Sequence, residues 1–342
     1  MIDTDEFATR TQPYRRELLA HCYRMLGSLD DAEDLVQETM LRAWRGYAEF
    51  EGRASLRTWL YRIATNACLN ALEHSSRRVL PSGLTGPAGH PEHLHADADS
   101  IPWLQPIPDI VIEPETTDPA AIFATRHSTR LALIAVWQTL PPRQRAVLIL
   151  RDVLRWKATE VADLLETTPT AINSTLQRAH ATLADRTTDA DHITEPDDPA
   201  VRSVLDRWAA AFESSDMNAL AALLTTGTVW EMPPIPDWFI GRDQIIRLIT
   251  TQCPARPGTL CMIPTAANGQ PAFAVYIDGE AHSIQILTVT PTGIDRIVAF
   301  HGSERFRPFG LFDRLPIASV PDARRPGDQQ AIFVAPDDSN EI

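Results

Sequence analysis

Asp34 and Glu38 stand four residues apart in "DDAEDLVQETMLRAW" (residues 30–44), which carries five acids in its first nine positions. A four-residue step places both carboxylates on one helix face, where like charges repel by roughly 0.2–0.5 kcal/mol. Acids near a helix N-terminus complement the macrodipole. Asp30 or Asp31 as N-cap therefore accounts for Asp30, Asp31 and Glu33. Glu38, two turns further on, is not needed for that, although Arg42 can partly satisfy it. Leu35, Val36, Met40, Ala43 and Trp44 recur at the spacing of an inward face. Two uses of the acids stay open here, a solvated face and a docking surface for a basic partner.

A second constellation lies in "RASLRTWLYRIATNACLNALEHSSRR" (residues 53–78). Leu60, Ile63, Ala64, Ala67 and Ala71 have core spacing. Trp59, Arg62, Asn66, Asn70, Glu73 and Arg77 form the opposite stripe, with Trp59 expected at the surface. Aromatics stack on unpaired bases, Asn reads adenine edges and Arg holds phosphate. "FEGRAS" (residues 50–55) just before it is a Gly-containing loop able to grip an extruded base. The competing reading is an amphipathic helix with one Trp packed on a neighbour.

The third is "LPPRQRAVLILRDVLRWKATEVADLLETTPTAINSTLQRAHATL" (residues 140–183), with the pattern of a helix-turn-helix. Val161, Leu164 and Leu165 pack inward from the first helix. Thr167 or Thr168 caps the second, with Pro169 at its start. Ile172, Leu176, Ala179 and Leu183 face inward, leaving Thr170, Ala171, Asn173, Ser174, Gln177 and Arg178 outside. Such residues suit a major-groove helix, with Arg143, Arg145, Arg151, Arg155 and Lys157 available for phosphates.

The elements that must position these groups follow from composition. Hydrophobic residues make up 44% of the 342 and charged ones 22%, ordinary globular values for two or three domains. The net charge of −14 argues against indiscriminate nucleic-acid binding. No apolar run reaches the roughly 18 residues of a membrane span, and the N-terminus lacks secretory character. Cys22, Cys68, Cys253 and Cys261 have neither metal nor redox spacing, so a reduced, cytoplasmic protein with no metal or cofactor is expected. Residues 12–78 read as helical. Residues 81–119 hold eight prolines and seven acids and no Lys or Arg, which predicts an extended, solvated linker. Within it "IPWLQPIPD" (residues 101–109), with Trp103 amid prolines, is too apolar for a pure spacer. Helical pattern returns over residues 120–187, and residues 188–198 form another acidic linker. Residues 199–312 switch to helices followed by strand-like runs, an α+β pattern. Residues 313–342 are Pro/Asp-rich and expected to be disordered.

The first two stretches together closely resemble region 2 of extracytoplasmic-function sigma factors, and the third resembles their region 4, in the same order and with the same intervening linker. The resemblance covers about residues 10–186. It implies that the acidic helix docks on the large catalytic subunit of core RNA polymerase through Asp34, Glu38, Leu41 and Arg42. It implies that Arg53, Ser55, Trp59, Arg62, Asn66, Asn70, Arg77 and Arg78 melt and read the −10 promoter element. The −35 element would meet Arg143, Arg155, Lys157, Thr168, Thr170, Ala171, Asn173, Ser174, Gln177 and Arg178. Asn173 and Thr175 replace basic side chains frequent in the family, and the bend that Gly usually supplies is occupied near Glu166. Weaker autonomous −35 binding is expected, with affinity borrowed from polymerase. The stretch around Trp103 resembles the tryptophan–proline linker motif of sigma factors with a C-terminal extension.

That extension resembles the SnoaL-like cone fold, helices first and then a curved sheet around a pocket. Trp208, Trp230, Met232, Trp238 and Tyr276 can line an apolar cavity or simply fill a core, with Asp237 and His282 as polar candidates. In enzymes of that fold a cavity carboxylate acts as general base, but fold alone confers no catalysis. The expected architecture is therefore multidomain, two all-α sigma domains and one α+β domain. The expected function is an alternative sigma factor, not an enzyme, binding core polymerase and promoter DNA without membrane contact. Modulation in cis is expected through contact of the extension with the linker or region 2, and a small-molecule ligand stays unspecified. Two alternatives remain, a SnoaL-type isomerase or cyclase fused to a DNA-binding module, and a ligand-sensing helix-turn-helix regulator.

Overall fold

The computed structural model describes residues 4–52, 54–73, 76–95, 98, 100–114, 116–184 and 199–315. The chain divides into two compact units, residues 1–79 with 111–190 and residues 80–110 with 191–342. Among the described residues no helix is long and apolar enough to cross a membrane.

The helical unit begins with α1 (Thr4–Thr11), α2 (Arg15–Leu26), α3 (Leu29–Gly46) and α4 (Leu56–Glu73). Gly27, at φ +71, ends α2 in the left-handed conformation that glycine adopts without a Cβ clash. Ser28 follows in extended conformation, and its Oγ accepts from Asp31 N at 3.1 Å. Ser28, not Asp30 or Asp31, is thus the N-cap of α3, because both aspartates already lie in its first turn. Leu18, Met25, Tyr23, Leu60 and Tyr61 fill the core between α2, α3 and α4. Ala71, expected in that core, lies on the last turn of α4 and is exposed.

After α5 (Asp109–Ile112) come α6 (Pro119–Thr129), α7 (Leu131–Trp137) and α8 (Pro142–Leu148), the last running into a π-helical turn over Ile149–Val153. The pair α9 (Ala158–Leu164) and α10 (Pro169–Ala184) completes the unit. Thr168 Oγ1 accepts from Ala171 N at 3.2 Å and caps α10, with Pro169 at its first position.

The second unit carries α11 (Pro199–Glu213), α12 (Met217–Leu223), β1 (Leu224–Met232), β2 (Ile235–Ile240), α13 (Arg242–Gln252), β3 (Leu260–Ala267), β4 (Gln270–Ile277), β5 (Glu280–Thr290) and β6 (Gly293–His301). The strand order is β2-β1-β6-β5-β4-β3. β1 and β6 run parallel and the other neighbours antiparallel. Asn268-Gly269 and Asp278-Gly279, all at positive φ, make the two-residue turns of β3–β4 and β4–β5. Trp208, Phe212, Leu220, Trp230, Phe239, Leu248 and Ile297 form the core between helices and sheet.

Residues 80–110 differ from the solvated linker that composition predicts. A few of their peptide groups bond to each edge of the sheet. Ala88 N donates to Trp238 O of β2 at 2.8 Å, and Ala98 N to Pro234 O, just before β2, at 3.1 Å. At the other edge Pro108 bridges Ala267, and Ile107 exchanges hydrogen bonds with Asn268. Trp103, Leu104 and Ile107 are buried, and Trp103 Nε1 donates to Ala98 O at 3.1 Å. The physical reason is twofold: a proline-stiffened strand loses little entropy on docking, and each buried large apolar side chain is worth roughly 1.5–3 kcal/mol. Residues 111–119, also expected in the linker, group instead with the helical unit. The expected second linker, residues 188–198, and the tail from residue 316 on lie outside the described residues.

Candidate functional site

On α3 the described geometry separates capping from surface chemistry. Asp34 is exposed, while Glu38 is half-buried and accepts from Arg42 Nη2 at 2.6 Å. Leu41 is 55% exposed and Trp44, expected on the inward face, is 42% exposed. The helical step from 34 to 38, 41 and 44 or 45 lays two acids and two apolar side chains along one stripe. An apolar pair left in water beside carboxylates is what a docking surface offers and a capping function does not explain. The signal for Trp44 was ambiguous in sequence, because positions 43 and 44 straddle the core boundary.

On α4 Arg62, Asn66, Asn70 and Arg77 are exposed. Trp59, expected free at the surface, is half-buried and stacks on Phe50, ring centroids 4.8 Å apart. Phe50 in turn stacks on Tyr47 at 6.4 Å. Tyr47 was absent from the expected set, whereas Phe50 opens the loop expected to grip a base; the signal for this stack was the aromatic spacing in "YAEF". The stack presents Trp59 as the end of a ladder on which an unpaired base can add one more layer. Ser55 Oγ caps α4 through Thr58 N at 3.0 Å. Arg78 pairs with Asp31 at 2.6 Å, and Arg53 lies outside the described residues.

In the helix-turn-helix, Thr170, Asn173, Ser174, Gln177 and Arg178 are exposed on α10 and Ala171 is half-buried. Thr168, Arg143, Arg155 and Lys157 are exposed as well. Two arginines assigned to phosphates are not available. Arg145 is buried and donates to the carbonyls of Met25, Trp137, Gln138 and Leu140, and burial lowers its pKa to about 10. Arg151 donates to Trp156 O. The sequence could not separate these from surface arginines, because only the incoming carbonyls of neighbouring helices distinguish them. The bend is made by Glu166 at φ +52, a left-handed conformation strained for a residue with a Cβ.

The N-terminal helices touch the later helices within this unit. Tyr61 and Trp156 rings lie 5.2 Å apart, and Arg24 Nη2 donates to Ser128 Oγ at 2.8 Å. Arg62 Nη2 reaches Glu166 Oε1 at 2.5 Å, an exposed pair worth at most about 1 kcal/mol and readily exchanged for a phosphate.

The second unit encloses a cavity of about 300 Å³, at the low end of the small-molecule range. Of the expected lining, Trp230, Met232 and His282 are present. Strand alternation excludes others. Val275 and Ile277 of β4 face the cavity, so Tyr276 between them faces away, packing on Phe306 and donating to Phe312 O at 2.8 Å. Trp208 is fully buried in the core behind Trp230 and Phe212. Trp238 Nε1 instead donates to Thr85 O at 2.9 Å. Asp237, the candidate general base, is outside the lining and clamps His95, accepting from His95 N at 2.6 Å and contacting Nδ1 at 2.8 Å. Glu231 is fully buried on the opposite face from Trp230 and Met232. It accepts from Ser82 N at 2.9 Å and Arg296 Nη1 at 2.5 Å. Polar lining that sequence reasoning missed includes Gln252, Ser283, Gln285 and His301, the last three brought together by the register Ser283↔His301 and Gln285↔Ala299. His282 and His301 rings meet edge-on at 4.8 Å. Burial lowers the pKa of both, that of His301 to about 4.

Comparison with known proteins gives the following. Residues 11–78 match Sigma-70 region 2, and residues 130–183 match Sigma-70, region 4. The chain is 49% identical over 316 residues to the ECF RNA polymerase sigma factor SigG of Mycobacterium tuberculosis, covering 91% of this chain and 85% of that one. It is 28% identical over 241 residues to SigJ of the same organism, 69% of each chain. The crystal structure of Mycobacterium tuberculosis SigJ superposes with a TM-score of 0.59 at 22% identity, over 88% of this chain and 98% of that one. That superposition supports the fold, a helical unit followed by a unit built on a mixed sheet.

Proposed function

Because the chain belongs to the extracytoplasmic-function sigma factors, and is thus an alternative sigma factor that directs transcription, we propose which surfaces it uses and how its C-terminal unit governs them. α3 docks on core RNA polymerase in the cytoplasm through Asp34, Glu38, Leu41 and Trp44. The face of α4 from Trp59 to Arg77 engages the −10 element, with Phe50 and Tyr47 backing the stacked base. The outer face of α10 reads the −35 element, with Arg143, Arg155 and Lys157 on phosphates. The protein acts by recruitment and promoter melting, without catalysing a reaction of its own.

Control in cis comes from the linker. Free and extended, residues 80–110 would reach roughly 100 Å. Docked along both edges of the sheet, they form a far shorter tether between regions 2 and 4. Docking therefore favours the compact pair held by Tyr61–Trp156 and Arg62–Glu166, and release lets the two regions separate to span a promoter. The observation that supports this reading is the hydrogen bonding of residues 80–110 to both edges of the C-terminal sheet, through Ala88 and Ala98 at one edge and Ile107 and Pro108 at the other.

Run-off transcription with purified core polymerase tests both halves. Asp34→Arg places a like charge against a basic partner and is expected to weaken core binding by about 2–3 kcal/mol, roughly a hundredfold in Kd. A chain ending at Thr188 is expected to give a severalfold higher run-off yield than the full chain. Unchanged core affinity in the first variant removes the docking assignment, and an unchanged yield in the second removes the cis control.

A further inference from the structure

We propose that α1 extends the DNA-binding surface, with Arg10 holding a phosphate of the unpaired strand a few nucleotides downstream of the base that stacks on Trp59. This contact rests on the assignment of the α4 face to the −10 element and adds a residue outside it. Phe7 and Arg10 also precede residues 11–78, the stretch that matches region 2.

Phe7 is buried and meets the Tyr47 ring edge-on, with centroids 5.1 Å apart and planes at 79°. Thr11, buried as well, donates through Oγ1 to Phe7 O at 2.9 Å. These two side chains seat α1. On that footing Arg10 Cζ stands 5.6 Å from the centre of the Tyr47 ring, over it. Tyr47 stacks on Phe50 with 15° between the planes, and Phe50 stacks on Trp59 with 28°. One guanidinium and three nearly parallel rings thus form a row from α1 to the start of α4.

Aromatic faces with cations placed along the backbone path are what binds single-stranded nucleic acid without reading its sequence. Upstream of the −10 element the DNA stays duplex, so an unpaired strand leaves the stacked base only in the downstream direction. Arg62, Asn66 and Asn70 follow Trp59 along α4, whereas Phe50, Tyr47 and Arg10 adjoin it through ring contacts outside that helix. A strand that follows those rings meets Arg10 at their far end. The Arg10 side chain is 51% exposed, and its Nη1 donates to Glu6 Oε1 at 3.4 Å. Such an exposed i,i+4 pair is weak and exchanges readily for a phosphate. The Tyr47 ring restrains the guanidinium without using an N–H, which leaves the planar fork free to take a phosphate through two hydrogen bonds. With a net charge of −14 the chain offers DNA no general attraction, so each phosphate contact has to come from a placed cation.

Fork-junction DNA from a promoter that the holoenzyme transcribes tests the contact. Its unpaired non-template strand either ends at the −10 element or continues about six nucleotides further, a length within single-strand site sizes. Binding is read by fluorescence anisotropy, with holoenzyme assembled from the full chain at core concentrations that saturate every variant. Arg10→Gln is expected to leave the short fork unaffected and to weaken the long fork about fivefold, the worth of one surface hydrogen bond to a charged group. On the long fork its slope of log affinity against log salt should shrink by about 0.7, one single-strand phosphate. Phe7→Ala should reproduce that loss on the long fork and add nothing to it in the double variant, because both act through the seating of one guanidinium. Tyr47→Phe should match the wild type, since Tyr47 Oη is buried with no hydrogen-bond partner among the described residues and only the ring is used. An equal loss on both forks, no loss on either, or an unchanged salt slope overturns the phosphate contact. Asn66→Ala on the short fork addresses the −10 assignment separately: unchanged affinity there removes that assignment, however Arg10 behaves.

Discussion

Trp44 on α3 and Trp103 in the proline-rich segment invert what their surroundings suggest. Trp44 sits in a well-formed helix with a buried face, yet is 42% exposed; Trp103 sits in an acidic stretch without regular structure, yet is 7% exposed. A helix fixes which side chains share a face, but leaves its outward stripe available for a partner. An extended proline-rich chain fixes almost nothing by itself, so its burial is decided by the edges and grooves it meets. The regular region thus offers its tryptophan outward, and the irregular one keeps its own inside.

The largest effect expected from this comparison is on stability. Trp103→Ala removes a buried indole and should destabilise the C-terminal unit by about 3–5 kcal/mol in urea unfolding. Trp44→Ala should change stability by no more than about 0.5 kcal/mol while weakening core polymerase binding. Comparable stability losses for the two would erase the distinction.

A smaller effect separates the units by pH. His21, fully buried with Nε2 against Thr65 Oγ1 at 2.9 Å, has its pKa lowered to about 3 by burial and then by Arg24 and Arg57. His301 is lowered to about 4. Both stay neutral when folded and bind protons near pH 6.5 when unfolded. Their contribution is complete above that pH and is lost as pH falls toward the folded values. Each unit should lose about 2 kcal/mol per such histidine between pH 7 and pH 5. Denaturant midpoints of His21→Gln and His301→Gln across that range check it, since each substitution should flatten the pH slope of its own unit.

The smallest effect concerns the exposed stripe. Glu38 and Arg42 pair at 2.6 Å with both side chains nearly half exposed, a geometry worth roughly 0.3–0.5 kcal/mol. Glu38→Gln should leave the thermal midpoint almost unchanged and lower core affinity. A large stability loss would mean that Glu38 serves the fold instead.

Much of the helical architecture was readable because its signals are local. The 3.6-residue period located α3, α4 and α10, and Thr168-Pro169 marked the start of the last. The outward residues of α10 followed from the same period. Three features escaped such reasoning. Arg145 reads as a surface cation until helices α2 and α7 bring it carbonyls. Trp59 reads as free until Phe50 arrives beneath it. Aromatic content could not tell Trp230, which lines the cavity, from Tyr276, which the adjoining strand position turns away.

By itself, then, the sequence determined the order of the helical regions, the acids and polar stripes on their faces, and the change to an α+β region. Each depends on contacts within a few residues. Tertiary structure alone decided that residues 80–110 cover the sheet edges, that Asp237 holds His95 instead of facing the cavity, and that Gln285 and His301 converge there. Those outcomes depend on strand register and on which distant chain supplies a missing hydrogen-bond partner. No local period encodes that choice, because it is made by the polar groups and apolar surface left over once the neighbouring elements have packed.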